Sequence, residues 1–144
     1  MPSAQCIFCK IIAGEIEAAR VYENDRVIVF LDNTPLFPGH CLVCPKEHYE
    51  TLMDVPQDWL EGVFATAQTV ARAVESGLGA EGSFVAINNK VSQTVPHLHV
   101  HVVPRRRGDG LKGFFWPRRK YRDNEEMAET QQILQRAIKS ERSV

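Results

Sequence analysis

The sequence predicts a single domain that combines five short β-strands with one long helix and a C-terminal helix. Three observations lead there. Several short runs carry apolar side chains in strand-like patterns, the plainest of them alternating strictly, as on a strand with two unlike faces. One stretch of about twenty residues instead repeats its apolar positions at threes and fours, the period of a helix. Proline, glycine and asparagine punctuate the runs.

Taken in order, Cys6-Ile-Phe-Cys9 places two thiols at a spacing that can grip one metal ion from a tight turn. Phe8 to Ala13 reads as a short helix ending at Gly14. Arg20 to Glu23 and Val27 to Asp32 read as two strands joined through Asn24-Asp25, which is good hairpin chemistry. Asn33 to Gly39 holds two prolines and a glycine and is a loop. Cys41 to Cys44 is a third strand, stopped by Pro45. Residues three apart on a strand point to opposite faces, so Cys41 and Cys44 cannot chelate one ion together and are read as small packing residues.

A long helix begins at Asp54 or Gln57 and runs to about Ser76. Leu60, Val63, Phe64, Ala67, Val70, Ala71 and Val74 form its core stripe, and Gly77 and Gly79 end it. Ser83 to Asn88 is a fourth strand, Asn89 to Ser92 a loop, and Leu98 to Val103 a fifth strand closed by Pro104. Asp123 caps the last helix, with Glu126 completing a capping box. Met127, Ile133, Leu134, Ala137 and Ile138 supply that helix's apolar side.

The 144 residues fit one domain with a real core, and 44% hydrophobic with 24% charged residues is an ordinary globular composition. A formal net charge of -1 excludes a simple polybasic binder. The charge is uneven, because Arg105 to Arg122 contains eight Lys or Arg and one acid, Asp109. That tail also carries Phe114, Phe115 and Trp116. Basic residues interleaved with aromatics can hold phosphate and stack on bases. The reading favoured here is a solvated loop whose aromatics tuck under the domain or into a partner subunit. No apolar run approaches the ~20 residues of a membrane span, and no secretory signal is visible. The expectation is a cytoplasmic protein with reduced thiols.

The chemistry concentrates between Gln93 and Pro104. His97, His99 and His101 alternate with Leu98, Val100 and Val102, so one strand face carries three imidazoles about 7 Å apart while the other enters a core. The chain's five histidines all fall here or in a second short segment, at His40 and His48. Two uses follow. Cys6 and Cys9 could be completed by His48 and one triad histidine into a closed Cys₂His₂ site, structural rather than catalytic, with His97, His99 and His101 all open as the fourth ligand. Alternatively, a neutral imidazole can attack phosphorus and split one displacement into two. His99 has a histidine on either side of it, and Gln93 and Thr94 offer neutral donors nearby. No Gly-x-x-x-x-Gly-Lys-Ser/Thr, Gly-x-Gly-x-x-Gly or Gly-x-Ser-x-Gly pattern occurs.

His97-Leu-His99-Val-His101-Val-Val103 resembles the signature of the histidine triad (HIT) superfamily. Cys6-Ile-Phe-Cys9-Lys-Ile-Ile-Ala-Gly-Glu-Ile is similar to the N-terminus of bacterial members. Pro38-Gly-His40-Cys-Leu-Val-Cys-Pro45-Lys-Glu-His48 resembles the second family block, and Gln93-Thr-Val precedes the triad as it does in the family. The resemblance implies an α+β fold, a five-stranded antiparallel sheet with a long helix and a C-terminal helix. It also implies one HIT domain over 1–144, with a core at about 6–107 and an extension at 108–144.

By the same resemblance, members form homodimers and hydrolyse or transfer nucleotidyl groups at the α-phosphate of purine nucleotides or nucleotide conjugates. These include nucleoside phosphoramidates and dinucleoside polyphosphates. His99 corresponds to the nucleophile that becomes a nucleotidyl-histidine, and His101 and His40 to histidines of the phosphate site. Gln93 and Thr94 correspond to contacts to phosphate or leaving group, Asp32 to the ribose-binding acid, and Ile7, Phe8, Ile11 and Phe30 to the base pocket. Asn88 matches a polar residue near the phosphate. Cys6, Cys9, His48 and His97 correspond to the structural zinc ligands of bacterial members. The chain departs from the family at Ser92, where a glycine is common, at Pro96, and in a short loop from Asn88 to Gln93. Competing expectations are a non-catalytic nucleotide-binding or scaffolding module and, third, nucleic-acid end processing through the basic tail.

Overall fold

The computed structural model describes residues 2–111 and 118–142. The chain divides into two compact units, Met1–Asp109 and Gly110–Val144. In the first unit, helix α1 (Ile7–Ile12) precedes the hairpin of β1 (Arg20–Glu23) and β2 (Val27–Leu31). Next come β3 (Cys41–Pro45), a 3₁₀ turn at Leu52–Asp54, helix α2 (Gln57–Leu78), β4 (Gly82–Ala86) and β5 (Val100–Arg105). The five strands form one antiparallel sheet in the order β1-β2-β3-β5-β4.

Alternation along the strands divides the core between the two faces of the sheet. Val27, Val29, Cys41, Val43, Val100 and Val102 pack with Val63, Ala67, Val70 and Val74 of α2. Ile28, Phe30, Leu42 and Cys44 face the other way and pack with Cys6, Phe8, Cys9 and Ile11 around α1. Cys41 and Cys44 thus lie in different core layers, as their spacing requires. In register, His101 lies opposite Leu42, on the α1 face. The sheet's second face is therefore the one that can present imidazoles to a ligand.

Several boundaries differ from those read in the sequence. Helix α2 starts at Gln57 because Pro56 holds Val55 extended (ψ 124°), separating it from the 3₁₀ turn. It runs through Gly77 and ends at Gly79, whose left-handed φ of 68° lets the chain turn away. Phe64, placed in the core stripe by its spacing, is exposed, whereas Thr66 is buried with its hydroxyl donating to Gly62 O. Strand β4 ends at Ala86 rather than Asn88.

Strand β5 begins at Val100 and includes Pro104, so only His101 of the triad lies within the ladder. Pro104 is tolerated because β3 pairs with β5 only as far as Val102, leaving one side of the strand end without a neighbour. Upstream, His97 N–H donates to Val95 O across Pro96, and Leu98 N–H donates to Tyr49 O. These bonds turn the chain before the ladder starts.

In the second unit, Asp123 caps helix α3 (Asn124–Arg142) by accepting from Glu126 N–H. Glu126 reaches back to Arg122 N–H instead of the Asp123 N–H of a strict capping box. Met127, Ile133, Leu134 and Ile138 are exposed. Phe114, Phe115 and Trp116 lie outside the described residues. Among the described residues, no helix is long and apolar enough to cross a membrane.

Candidate metal centre and candidate active site

Two histidine clusters grow from the segment before β5. In the first, Cys6 is the N-cap of α1, and its Sγ accepts from Cys9 N–H. That helix turn brings both thiols to one point. Cys6 Sγ lies 3.5 Å from His97 Nδ1, Cys9 Sγ lies 3.3 Å from His48 Nδ1 and 3.6 Å from His97 Nδ1, and the two Nδ1 atoms are 3.2 Å apart. A tetrahedral ion with ligand bonds of about 2.0–2.3 Å needs ligand edges of roughly 3.3–3.8 Å, close to the distances found here, so this donor set fits zinc. All four ligand atoms lie within 4.8 Å of one another, and four such donors are the number that a tetrahedral structural site takes. His97 Nε2 lies 2.8 Å from Pro45 O and donates its proton there, so the lone pair sits on Nδ1. Burial lowers the His97 pKa to about 4 and raises the Cys6 thiol. The ring is thus held neutral, as a ligand must be, while the thiol needs a cation to favour its ionised form.

The second cluster faces a pocket of about 480 Å³. Ile7, Phe8, Ile11, Phe30 and Leu42 form its apolar wall, and Asp32, Thr34, Thr94, His99 and His101 bring polar groups to it. This size and mixed lining suit a small organic ligand with one charged end. Phe8 stands edge-on to both Phe30 and His99, with ring centroids 5.2 and 5.0 Å apart. His99 Nδ1 lies 2.7 Å from His97 O. A carbonyl can only accept, so the proton is on Nδ1 and the Nε2 lone pair is free. His101 lies beside it, with ring centroids 4.9 Å apart, and its Nδ1 is 2.9 Å from His40 Nε2. Desolvation lowers the pKa of His40 and His99 and takes His101 to about 4, so all three rings are neutral near pH 7.

Most residues singled out from the sequence meet at one of these two places. Gln93 does not line the pocket. Its Oε1 accepts from Lys90 N–H and its Nε2 donates to Glu50 O, bracing a loop in which Lys90 and Ser92 hold left-handed φ values of 67° and 61°. Asn88 is also outside the lining, and His40 sits behind His101. Sequence reading missed the Pro45, His97 and Tyr49 carbonyls and the Leu36 N–H, because a backbone group has no residue-type signal. It also missed several residues that line the pocket, among them Ile16, Ala18, Thr34, Leu42 and Val95. Alternation could have placed Leu42 there, since it shares a face with Phe30.

This fold and paired sites define a histidine triad protein, and residues 13–108 match the HIT domain family model. The chain belongs to the HIT family. It is 44% identical over 108 residues to a HIT-like protein of Mycobacterium tuberculosis, covering 74% of this chain and 75% of that one. It is 32% identical over 120 residues, 79% of each chain, to a Candida albicans protein named adenosine 5'-monophosphoramidase. Among solved structures, a zinc-bound histidine triad protein from Mycobacterium smegmatis superposes with a TM-score of 0.72 at 42% identity, over 85% of this chain and 86% of that one.

Proposed function

We propose that this protein hydrolyses or transfers nucleotidyl groups at an α-phosphate, with His99 as nucleophile. The observation that carries this reading is the orientation of His99, whose Nδ1–H is committed to His97 O and whose Nε2 lone pair is free beside the pocket. In the first step, Nε2 forms a bond to phosphorus as the bond to the leaving group breaks. The leaving group departs with that electron pair and takes a proton from water. The nucleotidyl-imidazole keeps its Nδ1 proton and is cationic, and the His97 carbonyl stabilises the charge. Water then attacks phosphorus and releases a proton to solvent, while the N–P electron pair returns to Nε2.

In this reading Asp32 takes the ribose hydroxyls, while Ile7, Phe8, Ile11 and Phe30 hold a purine. Thr94 and His101 donate to phosphoryl oxygens, and Asn88 and Gln93 support the loop beside them. We assign zinc to Cys6, Cys9, His48 and His97, where it ties α1 to the segment carrying His99 and supplies no step of the reaction. The fit of the donor spacings and the zinc-bound relative support that assignment. Reduced thiols at all four cysteines suit a cytoplasmic setting. A homodimer through the outer edge of β4, which carries exposed Val85, completes the proposal.

The test is a turnover panel of adenosine and guanosine phosphoramidates and dinucleoside polyphosphates, with metal analysis and solution mass measured on the same preparation. The reading expects release of a nucleoside monophosphate from at least one substrate, one zinc per chain and a dimer. Nucleotide binding without turnover of any substrate would favour a scaffolding module instead.

A further inference from the structure

The polar side chains of the pocket come almost entirely from two stretches. Asp32, Asn33 and Thr34 follow β2, and Thr94, His99 and His101 belong to the segment that leads into β5. The two stretches meet, because Asp32 and His101 bring ligand atoms within 4.8 Å of each other and His99 stands beside His101. Every other lining residue is apolar except one, Glu17.

Glu17 lies on a strap, residues 16–19, that joins α1 to β1 and is held at both ends. Glu15 N–H and Ile16 N–H donate to Lys10 O of α1, and Leu31 N–H of β2 donates to Ala19 O. Ile16 and Ala18 pack against the core layer that contains Phe8 and Ile11. Alternation then sets the exposed Glu17 at the rim of the pocket rather than on its floor. The same residue lines an adjoining depression of about 560 Å³ on the outer side of the strap. Arg20 shares that depression, but its guanidinium already donates to Glu23 at 2.9 Å and to Ile11 O at 2.6 Å. Among the described residues, the Glu17 carboxylate makes no hydrogen bond and no ion pair. The apolar wall therefore carries one uncommitted acceptor at its edge.

We propose that Glu17 sets the base preference of the pocket, selecting guanine by accepting from its N1–H and its 2-amino group. The proposal rests on the reading of this pocket as a nucleotide site with the base against the apolar wall. A carboxylate has two acceptor oxygens and no donor. Guanine presents two adjacent donors on one edge, which a carboxylate can meet together. Adenine presents one donor at N6 and a lone pair at N1, so the same carboxylate gains one bond and faces one repulsion. Hypoxanthine keeps N1–H and lacks the amino group, which places it between the two. Water competes at an exposed rim, so the discrimination is about ten-fold, far below that of an enclosed polar site.

The experiment is calorimetric titration of the full-length protein, purified without chelator, with GMP, IMP and AMP at neutral pH. It is repeated on Glu17→Gln and Glu17→Ala, which should melt with the wild type because the side chain holds nothing in place. The wild type should bind GMP about ten-fold more tightly than AMP, with IMP between them. An amide offers one acceptor and one donor, the complement of adenine, so Glu17→Gln should bind AMP at least as tightly as GMP. Glu17→Ala should bring all three within about two-fold of one another. A wild type that binds AMP as tightly as GMP would overturn the proposal. So would a guanine preference that survives in both variants, which would assign base reading to the main chain of the strap. The titrations form no N–P bond, so the proposal can fail while turnover through His99 stands, and it can hold if turnover fails. Binding of none of the three would remove the nucleotide reading of the pocket and this proposal with it.

Discussion

The thiol–histidine cluster and the pocket cluster use the same side chain to opposite ends, and their histidines His97 and His99 sit two residues apart on one strand approach. His97 donates from Nε2 to Pro45 O and turns its Nδ1 lone pair on two thiols and a second imidazole. His99 donates from Nδ1 to His97 O, which leaves its Nε2 lone pair uncommitted on a residue that lines the pocket. In both cases a backbone carbonyl selects the tautomer. What differs is whether the remaining lone pair is enclosed by other ligands or left beside a cavity. The first arrangement suits cross-linking and the second suits attack. The carbonyl of His97 joins them, so that the closed cluster holds the group that orients the open one.

The comparison can be broken from either side. Replacing His99 with Ala should lower turnover at least roughly 10³-fold while metal content and melting temperature stay near wild type. A stopped assay together with a melting curve checks both halves. Replacing Cys9 with Ala should do the reverse first, costing at least about 3 kcal/mol of stability in denaturant titration, because metal-binding free energy is folding free energy at such a site. Its activity should fall only as the fold loosens.

Gly39 tests the link between the sheet and His40. Its φ of 97° is unsuited to other residues, and a Cβ there would run into Leu78 Cδ1. Leu78 is a half-exposed side-chain tip and can yield, so the backbone strain is the lasting cost. Gly39→Ala should lose about 1–3 kcal/mol, read by chemical denaturation.

Acid should act on the open cluster in a predictable direction. His101 titrates at about 4 when folded, below its ordinary value of 6.5, so the unfolded chain binds more protons between those values. Stability therefore rises with pH through that window and is lost as pH falls from about 6.5 toward 4. The loss is of order 1–3 kcal/mol, and His101→Gln should shrink it in denaturation curves across that range. The smallest effect is expected at Ser92, held at a φ of 61° where the family commonly has glycine. Ser92→Gly should change stability by less than about 1 kcal/mol, because relief of strain is offset by a more flexible unfolded chain.

The elements were legible where pattern and chemistry agree. The hairpin at Asn24-Asp25, the α2 stripe and the opposite facing of Cys41 and Cys44 follow from periods of 2 and 3.6. Both site clusters were legible in residue type, since histidine and cysteine are scarce and their placement is specific. Which triad histidine joins the thiols could not be read from spacing, because that choice depends on the turn at Pro96 and on the Pro45 carbonyl. Phe64 was misplaced because periodicity marks an apolar stripe without saying how wide a strip of it the sheet covers. The sequence suggests Gln93 as a contact to phosphate or leaving group, and without a ligand both ends of its amide are engaged by the backbone of Lys90 and Glu50. The C-terminal end of β5 lies beyond Pro104 because a proline is allowed where the strand on one side has stopped, and its start is delayed by the turn at His97 and Leu98.

The central claim is that the free nitrogen of His99 bonds to phosphorus. It is tested most directly by quenching a reacting mixture with alkaline denaturant, which preserves an N–P bond, and mapping the adduct by peptide mass spectrometry. The account predicts a nucleoside monophosphate on His99 Nε2, absent in His99→Ala. Turnover with no adduct, together with inversion of configuration at phosphorus, would mean that water attacks directly and would contradict it.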